Sequence, residues 1–275
     1  VSLVENHELA DAVVAERIKP GPLEMARTLR RHRAIRSIHF PKTLRPALAA
    51  FLARVPDRIG VDESLAGLFN NVSGPFWKAQ GPFLDRYHAV LAKRWPNLPP
   101  MPYADYDPGV TVSKPDRPYL CLMPGSMWPS KIWPRDHFAE LARRARREGL
   151  DVVVLGAPDE REICDFVSEA ATLNLCGKTT LKEAAAWLRG AWAATGNDSG
   201  LSHLAAACGT PIVAIYGATD PGGSKPWGPS TFGLRRDDIP CAPCFKRCCA
   251  VPGHPCLAGI SPDRVWDAVK ALVPA

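Results

Sequence analysis

"GNDSGLSHLAAACGTPIVAIYG", residues 196–217, decides the fold. A polar Asn-Asp-Ser-Gly turn follows the apolar "WAATGN", a small-residue helix comes next, and "PIVAIYG" is a second apolar run. The order is strand, sharp turn, helix, strand. The turn admits two readings. As a helix cap, Asp198 or Ser199 satisfies the first-turn amides. As an anion site, Gly200 lets a ligand reach the backbone, and those amides and the helix dipole hold negative charge. His203 falls one turn after Ser199. A single histidine there is usually structural, and beside a pyrophosphate it donates a hydrogen bond.

Upstream, the alternation is regular. "YLCLM" (119–123) is a strand, and "PRDHFAELARRARREG" a helix whose stripe is Phe138, Leu141, Ala142 and Ala145, stopped by Gly149. "DVVVLG" (151–156) is the next strand. Asp159 then opens a helix, with Glu162 at capping-box spacing. "LNLCG" (173–177) is a third strand, and Thr180 and Glu183 have the same spacing before "AAAWLRGA". Strands alternating with helices through short connections make a parallel sheet covered on both faces. Ligands bind beyond the carboxyl ends of such strands.

The segment 96–118 is rich in proline and without apolar period, which reads as a linker. It divides the chain into a first domain, 1–95, and a second, 119–275. The first is less regular: "EMARTLRRH" reads as a helix, 34–40 as a strand, 44–55 as a helix and 58–62 as a short strand. This is α/β, but only part of a doubly wound domain.

The 275 residues are 46% hydrophobic and 23% charged, the balance of a soluble globular protein. No apolar run reaches membrane-spanning length. The start, "VSLVENHELADAVV", lacks the apolar core of a signal peptide, so a cytoplasmic protein is expected. The net charge of +6 gathers in 27–36 and 143–148. Such runs are ordinarily solvated helix faces, and their functional reading is contact with an anionic inner-membrane face. No aromatics interleave with them, which leaves nucleic-acid binding without support.

Three loops follow consecutive strands. In "MPGSMWPSKIWP" (123–134), Lys131 and Ser126 stand before a helix start, where an anion is favoured. In "GAPDERE", Glu160 or Glu162 either accepts from ribose hydroxyls or complements a helix dipole. The third loop holds Asp198, Ser199 and Gly200. Two such helix starts and a lysine suggest a diphosphate. G-x-G-x-x-G, G-x-S-x-G and H-E-x-x-H are all absent, which argues against dehydrogenases, hydrolase triads and zinc proteases.

The nine cysteines divide in two. Cys121, Cys164, Cys176 and Cys208 sit in apolar contexts and read as buried hydrophobes. "CAPCFKRCCAVPGHPC" holds the other five with His254. Three states are open for it: a zinc site on Cys241, Cys244, Cys248 and Cys256, a disulfide, or free thiols in an ordered loop.

Together "MPGSMWPSKIWP", "GNDSGLSHLAAACGTPIVAIYG", "ATDP" and "CAPCFKRCC…HPCLAGISPDRV" resemble the lipopolysaccharide heptosyltransferases of glycosyltransferase family 9. The likeness covers nearly all of the second half, and reaches the first more weakly through "SIHFPKTLRPALAAFLARVPDRIG". It implies a GT-B architecture, two Rossmann-like domains facing a cleft. It implies transfer of heptose, with inversion, from ADP-heptose to the lipopolysaccharide inner core, with no cofactor or metal required. The resemblance puts Lys131 and Ser126 on the donor phosphates, with the Ser199 and Gly200 backbone. It places Asp198 on the donor sugar, Thr179 on the adenine, Glu160 on the ribose, and His203 at the family's motif histidine. The family opens with a strand and a Gly-Asp-containing loop that carries the proposed base. Neither has a counterpart here, so an incomplete first domain without its general base is expected. Two other readings stand beside this one: a nucleotide-sugar-binding protein that no longer catalyses, and a GT-B transferase or epimerase with a different nucleotide sugar.

Overall fold

A computed structural model describes residues 20–40, 43–62, 64–76, 81–100, 103 and 105–273. The N-terminal stretch read for a leader and for a domain opening lies outside these residues. The chain forms two compact units that part between residues 102 and 103, inside the proline-rich segment.

The first unit contains α1 (Pro22–Arg31), β1 (Arg36–His39), α2 (Leu44–Leu52), β2 (Asp57–Val61), β3 (Val72–Gly74) and α3 (Phe83–Ala92). Pro22 occupies the first helical position, where a missing amide costs nothing. The buried Ala47, Ala49 and Ala50 leave room for α2 to pack closely against α1. The three strands are parallel in the order β1-β2-β3, with Ile59 level with Ile38 on one side and Val72 on the other. Ile59, Val61, Phe76 and Val90 form the core, and Tyr87 stacks on Phe76 with ring centroids 4.6 Å apart. The sequence reading contained neither β3 nor α3. Three residues are too few to show a strand's alternation.

The second unit contains β4 (Tyr119–Met123), α4 (Arg135–Arg147), β5 (Asp151–Val154), α5 (Arg161–Ser168), β6 (Leu173–Asn174), α6 (Leu181–Arg189), β7 (Ala193–Asn197), α7 (Gly200–Ala207), β8 (Ile212–Ile215), α8 (Pro221–Ser224), β9 (Thr231–Leu234), α9 (Pro255–Ala258) and α10 (Pro262–Leu272). All six strands are parallel, in the order β6-β5-β4-β7-β8-β9. Counted within the unit this is 3-2-1-4-5-6, the doubly wound order. Every residue of β4, β7 and β8 is buried, as a strand covered on both faces requires. The α4 stripe of Phe138, Leu141, Ala142 and Ala145 is fully buried and shares one core with Val265, Trp266 and Val269 of α10.

Two local expectations change. The Asp159–Glu162 capping box does not form. A 3-10 turn, Pro158–Glu160, comes first, and Glu160 Oε2 accepts the Ala157 amide at 2.8 Å. Glu162 is 95% exposed and lies 3.9 Å from Arg135. Pro158 sets this earlier start, because proline is favoured at the first position of a helical turn. The Thr180–Glu183 box forms as read, with the Glu183 amide 3.2 Å from Thr180 Oγ1 and the Thr180 amide 2.7 Å from Glu183 Oε2. From Tyr103 onward, the proline-rich segment belongs to the second unit. Tyr103 Oη and the Tyr106 amide donate to the carbonyls of Ala206 and Ala207, each at 2.6 Å. These carbonyls end α7, and Ala206 O also accepts the Gly209 amide at 3.0 Å.

The approach of β7 to β4 is tight enough to exclude a side chain at Gly196. A Cβ there would lie 2.8 Å from Met123 Cβ and 2.9 Å from Met123 O. Gly196→Ala is expected to lower the unfolding free energy of the second unit by about 1–3 kcal/mol, the usual cost of overpacking. Urea denaturation checks this, and an unchanged midpoint would refute it.

Candidate active site

The chain order reverses between β4 and β7, so the loops leaving their carboxyl ends diverge and open a crevice. Asn197, the last residue of β7 and fully buried, joins the two loops. Its Oδ1 accepts the Trp133 amide at 2.9 Å, and its Nδ2 donates to the carbonyls of Pro124 at 2.7 Å and Gly125 at 3.2 Å. Its own carbonyl accepts Ser202 Oγ at 2.7 Å, which ties in the start of α7. Trp133, equally buried, donates Nε1–H to the Ile260 carbonyl at 2.9 Å.

Lys131 closes a 3-10 turn, Pro129–Lys131, in the first loop. Its Nζ lies 2.6 Å from Asp198 Oδ2, and Thr219 Oγ1 donates to the same oxygen at 2.7 Å. Asp198 is only 6% exposed, so this pair is largely desolvated. Lys131 also sits over the Trp128 ring, 5.0 Å from its centroid. An ammonium has three donors, and the carboxylate uses one.

Neither Asp198 nor Ser199 caps α7. Ser199 is the extended N-cap residue but makes no side-chain bond to the first turn, and the Asp198 carboxylate is turned to Lys131 and Thr219. The cap reading of this turn is therefore corrected: the competing interaction is the ion pair. A Cβ at Gly200 would meet nothing within 4 Å, so space opens over the first turn. His203, one turn on, keeps an exposed face. Its surroundings strip water from the ring and lower its pKa below the ordinary 6.5, with Asp198 pulling upward and Lys131 pushing further down.

Ser126 and Glu160 line one cavity of about 420 Å3, bounded by Gly125, Trp133 and Pro134. That volume is within the range of small-ligand sites. Glu160 approaches so closely that any side chain at Gly125 would collide with its carboxylate. Burial raises the Glu160 pKa, the Ala157 amide opposes that, and Asp159 adds to it. Thr179, half-buried, precedes α6. Its segment is held beside the Glu160 turn by Gly177 N–H to Gly156 O at 2.9 Å and Cys176 Sγ to Ala157 O at 3.1 Å.

All nine cysteines are free thiols, with Cys121, Cys164, Cys176 and Cys208 buried as read. Among the described residues, no group of three His, Cys, Asp or Glu side chains is arranged to hold a metal ion, so the zinc reading of Cys241, Cys244, Cys248 and Cys256 finds no ligand set. The cysteine-rich loop acts through its backbone. Ser130 Oγ and N donate to the carbonyls of Lys246 at 2.5 Å and Arg247 at 3.2 Å, and the Phe245 amide donates to Ala218 O at 2.7 Å. It thus braces the neighbours of Lys131 and Thr219. Asn197, Thr219 and this brace were absent from the sequence reading. The signal for Asn197 was there: an amide ending an apolar strand must find buried partners.

Three of the four arginines in the 143–147 basic run are in ion pairs. Arg143 and Arg147 meet Glu140 at 3.2 and 2.9 Å, and Arg144 pairs with Asp263. No helix among the described residues is long and apolar enough to cross a membrane.

Asn197→Leu is expected to cost roughly 3 kcal/mol or more, because three buried backbone groups lose their partner at about 1–3 kcal/mol each. A loss below about 1 kcal/mol in urea denaturation would show that Asn197 does not hold the crevice together.

The profile of glycosyltransferase family 9 (heptosyltransferase) matches residues 23–254. Lipopolysaccharide heptosyltransferase 2 of Escherichia coli (strain K12) is 29% identical over 275 residues, spanning 91% of this chain and 78% of that protein. The protein of the same description from Salmonella typhimurium is 30% identical over 90% of this chain and 78% of its own length. The solved structure of E. coli ADP-heptose lps heptosyltransferase II superposes with a TM-score of 0.72 at 27% identity, covering 92% of this chain and 80% of that one. The fold is GT-B in composition, with two parallel α/β units. The chain belongs to glycosyltransferase family 9.

Proposed function

We propose that the protein transfers heptose from ADP-heptose to the inner core of lipopolysaccharide, with inversion at the sugar carbon. The observation that carries this reading is the crevice end of the second unit. There Lys131, held by Asp198 at 2.6 Å, faces the uncapped start of α7. A diphosphate in this position takes the two remaining Lys131 protons and the first-turn amides. Asp198 Oδ1, not used by Lys131 or Thr219, accepts from a hydroxyl of the donor sugar. The cavity between Ser126 and Glu160 takes the nucleoside, with Glu160 on the ribose and Thr179 toward the adenine. The names of the relatives supply the sugar and the acceptor class.

In the reaction, an acceptor hydroxyl bonds to the sugar carbon while that carbon's bond to the β-phosphate oxygen breaks. Negative charge grows on the departing ADP. Lys131 and the α7 amides are fixed before the reaction begins, so they stabilise that charge without reorganising. His203, one turn after Ser199, lies beside the same phosphates.

Two outcomes are expected. Incubation of the chain with ADP-heptose and heptose-deficient inner core releases ADP and extends the acceptor by one heptose, read by mass spectrometry. ADP release without acceptor extension would contradict transfer. A bound diphosphate also favours the charged imidazole, so ADP is expected to raise the His203 pKa in an NMR titration of its ring protons. A pKa that stays put on saturation with ADP would remove His203 from the phosphate site.

A further inference from the structure

We propose that the first unit docks on an anionic membrane surface through Arg30, Arg54 and Arg58 and the adjoining leucines Leu65 and Leu68. The charge of the chain is divided unevenly. Residues 20–100 contain 13 Lys and Arg against 5 Asp and Glu, whereas residues 101–275 contain 19 of each. The entire positive excess of residues 20–275 therefore belongs to the first unit.

A cavity of about 590 Å3 is lined by the three arginines and Phe51. Arg58 donates to the carbonyls of Phe69 and Val55, each at 2.6 Å, and Arg30 donates to the Leu52 carbonyl. Carbonyls orient a guanidinium without neutralising it. None of the three is in an ion pair among the described residues. Asp57, the acidic neighbour of Arg58 in sequence, is already engaged by Arg36 at 2.6 Å and Arg94 at 3.2 Å. In the 143–147 run, by contrast, Arg143 and Arg147 face Glu140 and Arg144 faces Asp263. Guanidinium forks with free donors suit phosphate oxygens.

Beside the cavity runs a 3-10 helix, Ser64–Phe69. Residues three apart eclipse in such a helix. Ala66 is buried and Phe69 packs on Phe51, with ring centroids 5.3 Å apart. On the other side Leu65 and Leu68 are 60% and 75% exposed. Two outward leucines next to uncompensated arginines match the two layers of a bilayer interface, acyl boundary and phosphate headgroup. The cavity precedes β2, at the amino ends of the strands.

Flotation of the full chain with phosphatidylcholine vesicles, with and without phosphatidylglycerol, tests this. Binding to the anionic vesicles alone is expected, weakening as salt is raised. Arg54→Gln should weaken it about fivefold, the worth of one basic residue near such a surface. Leu65→Gln with Leu68→Gln should weaken it about tenfold or more, and Arg143→Gln with Arg147→Gln should leave it unchanged. Equal binding to both vesicle types would overturn the proposal. So would unchanged anionic binding by the leucine variant with a lowered Tm, which would mean that the protein itself covers these leucines.

Discussion

The amide of Asn197 is the constraint on which the site depends. At a topological switch point, two loops leave adjacent strands in opposite directions, and nothing in the sheet ladder ties them together. One buried side chain does so here, with one acceptor for the Trp133 amide and two donors for the carbonyls of Pro124 and Gly125. An asparagine can do this because it offers both polarities on one short, planar group. Aspartate would set charge against two carbonyls, and leucine would leave all three groups unsatisfied.

The electrostatics follow from that framework. With the loops fixed, Lys131 reaches Asp198 across the crevice, and Thr219 supports the same carboxylate from the far side. The cysteine-rich loop then braces Ser130 and Ala218, each one residue away from a member of this trio. Its thiols are spectators in the arrangement, while its carbonyls and one amide carry the contacts. In sequence, the turn at residues 198–200 admits a helix cap or an anion site. The carboxylate has instead gone to the lysine, and the first turn of α7 is left open.

Much of the second unit was legible because β4 is an unbroken apolar run and α4 carries a strong helical stripe, and both sit close to where the sequence puts them. The short β9, "TFGL", was missed. Four residues containing a glycine look like any loop, and only pairing with β8 makes them a strand. Lys131 and Asp198 were both singled out, but their pairing was not, since it joins residues 67 positions apart. The two basic runs looked alike in sequence. Only the fold shows that Glu140 and Asp263 pair with three arginines of one, whereas Arg30 of the other joins Arg54 and Arg58 around a cavity with no carboxylate in its lining.

The central claim is that Lys131 and the open start of α7 form one diphosphate site. Calorimetric titration of the 275-residue chain with ADP, beside Lys131→Met, tests it most directly. The account predicts one ADP per chain and a loss of at least about tenfold in affinity in the variant, the worth of a single charge-assisted hydrogen bond. Equal ADP affinity in the two folded proteins, or no binding by either, would contradict it.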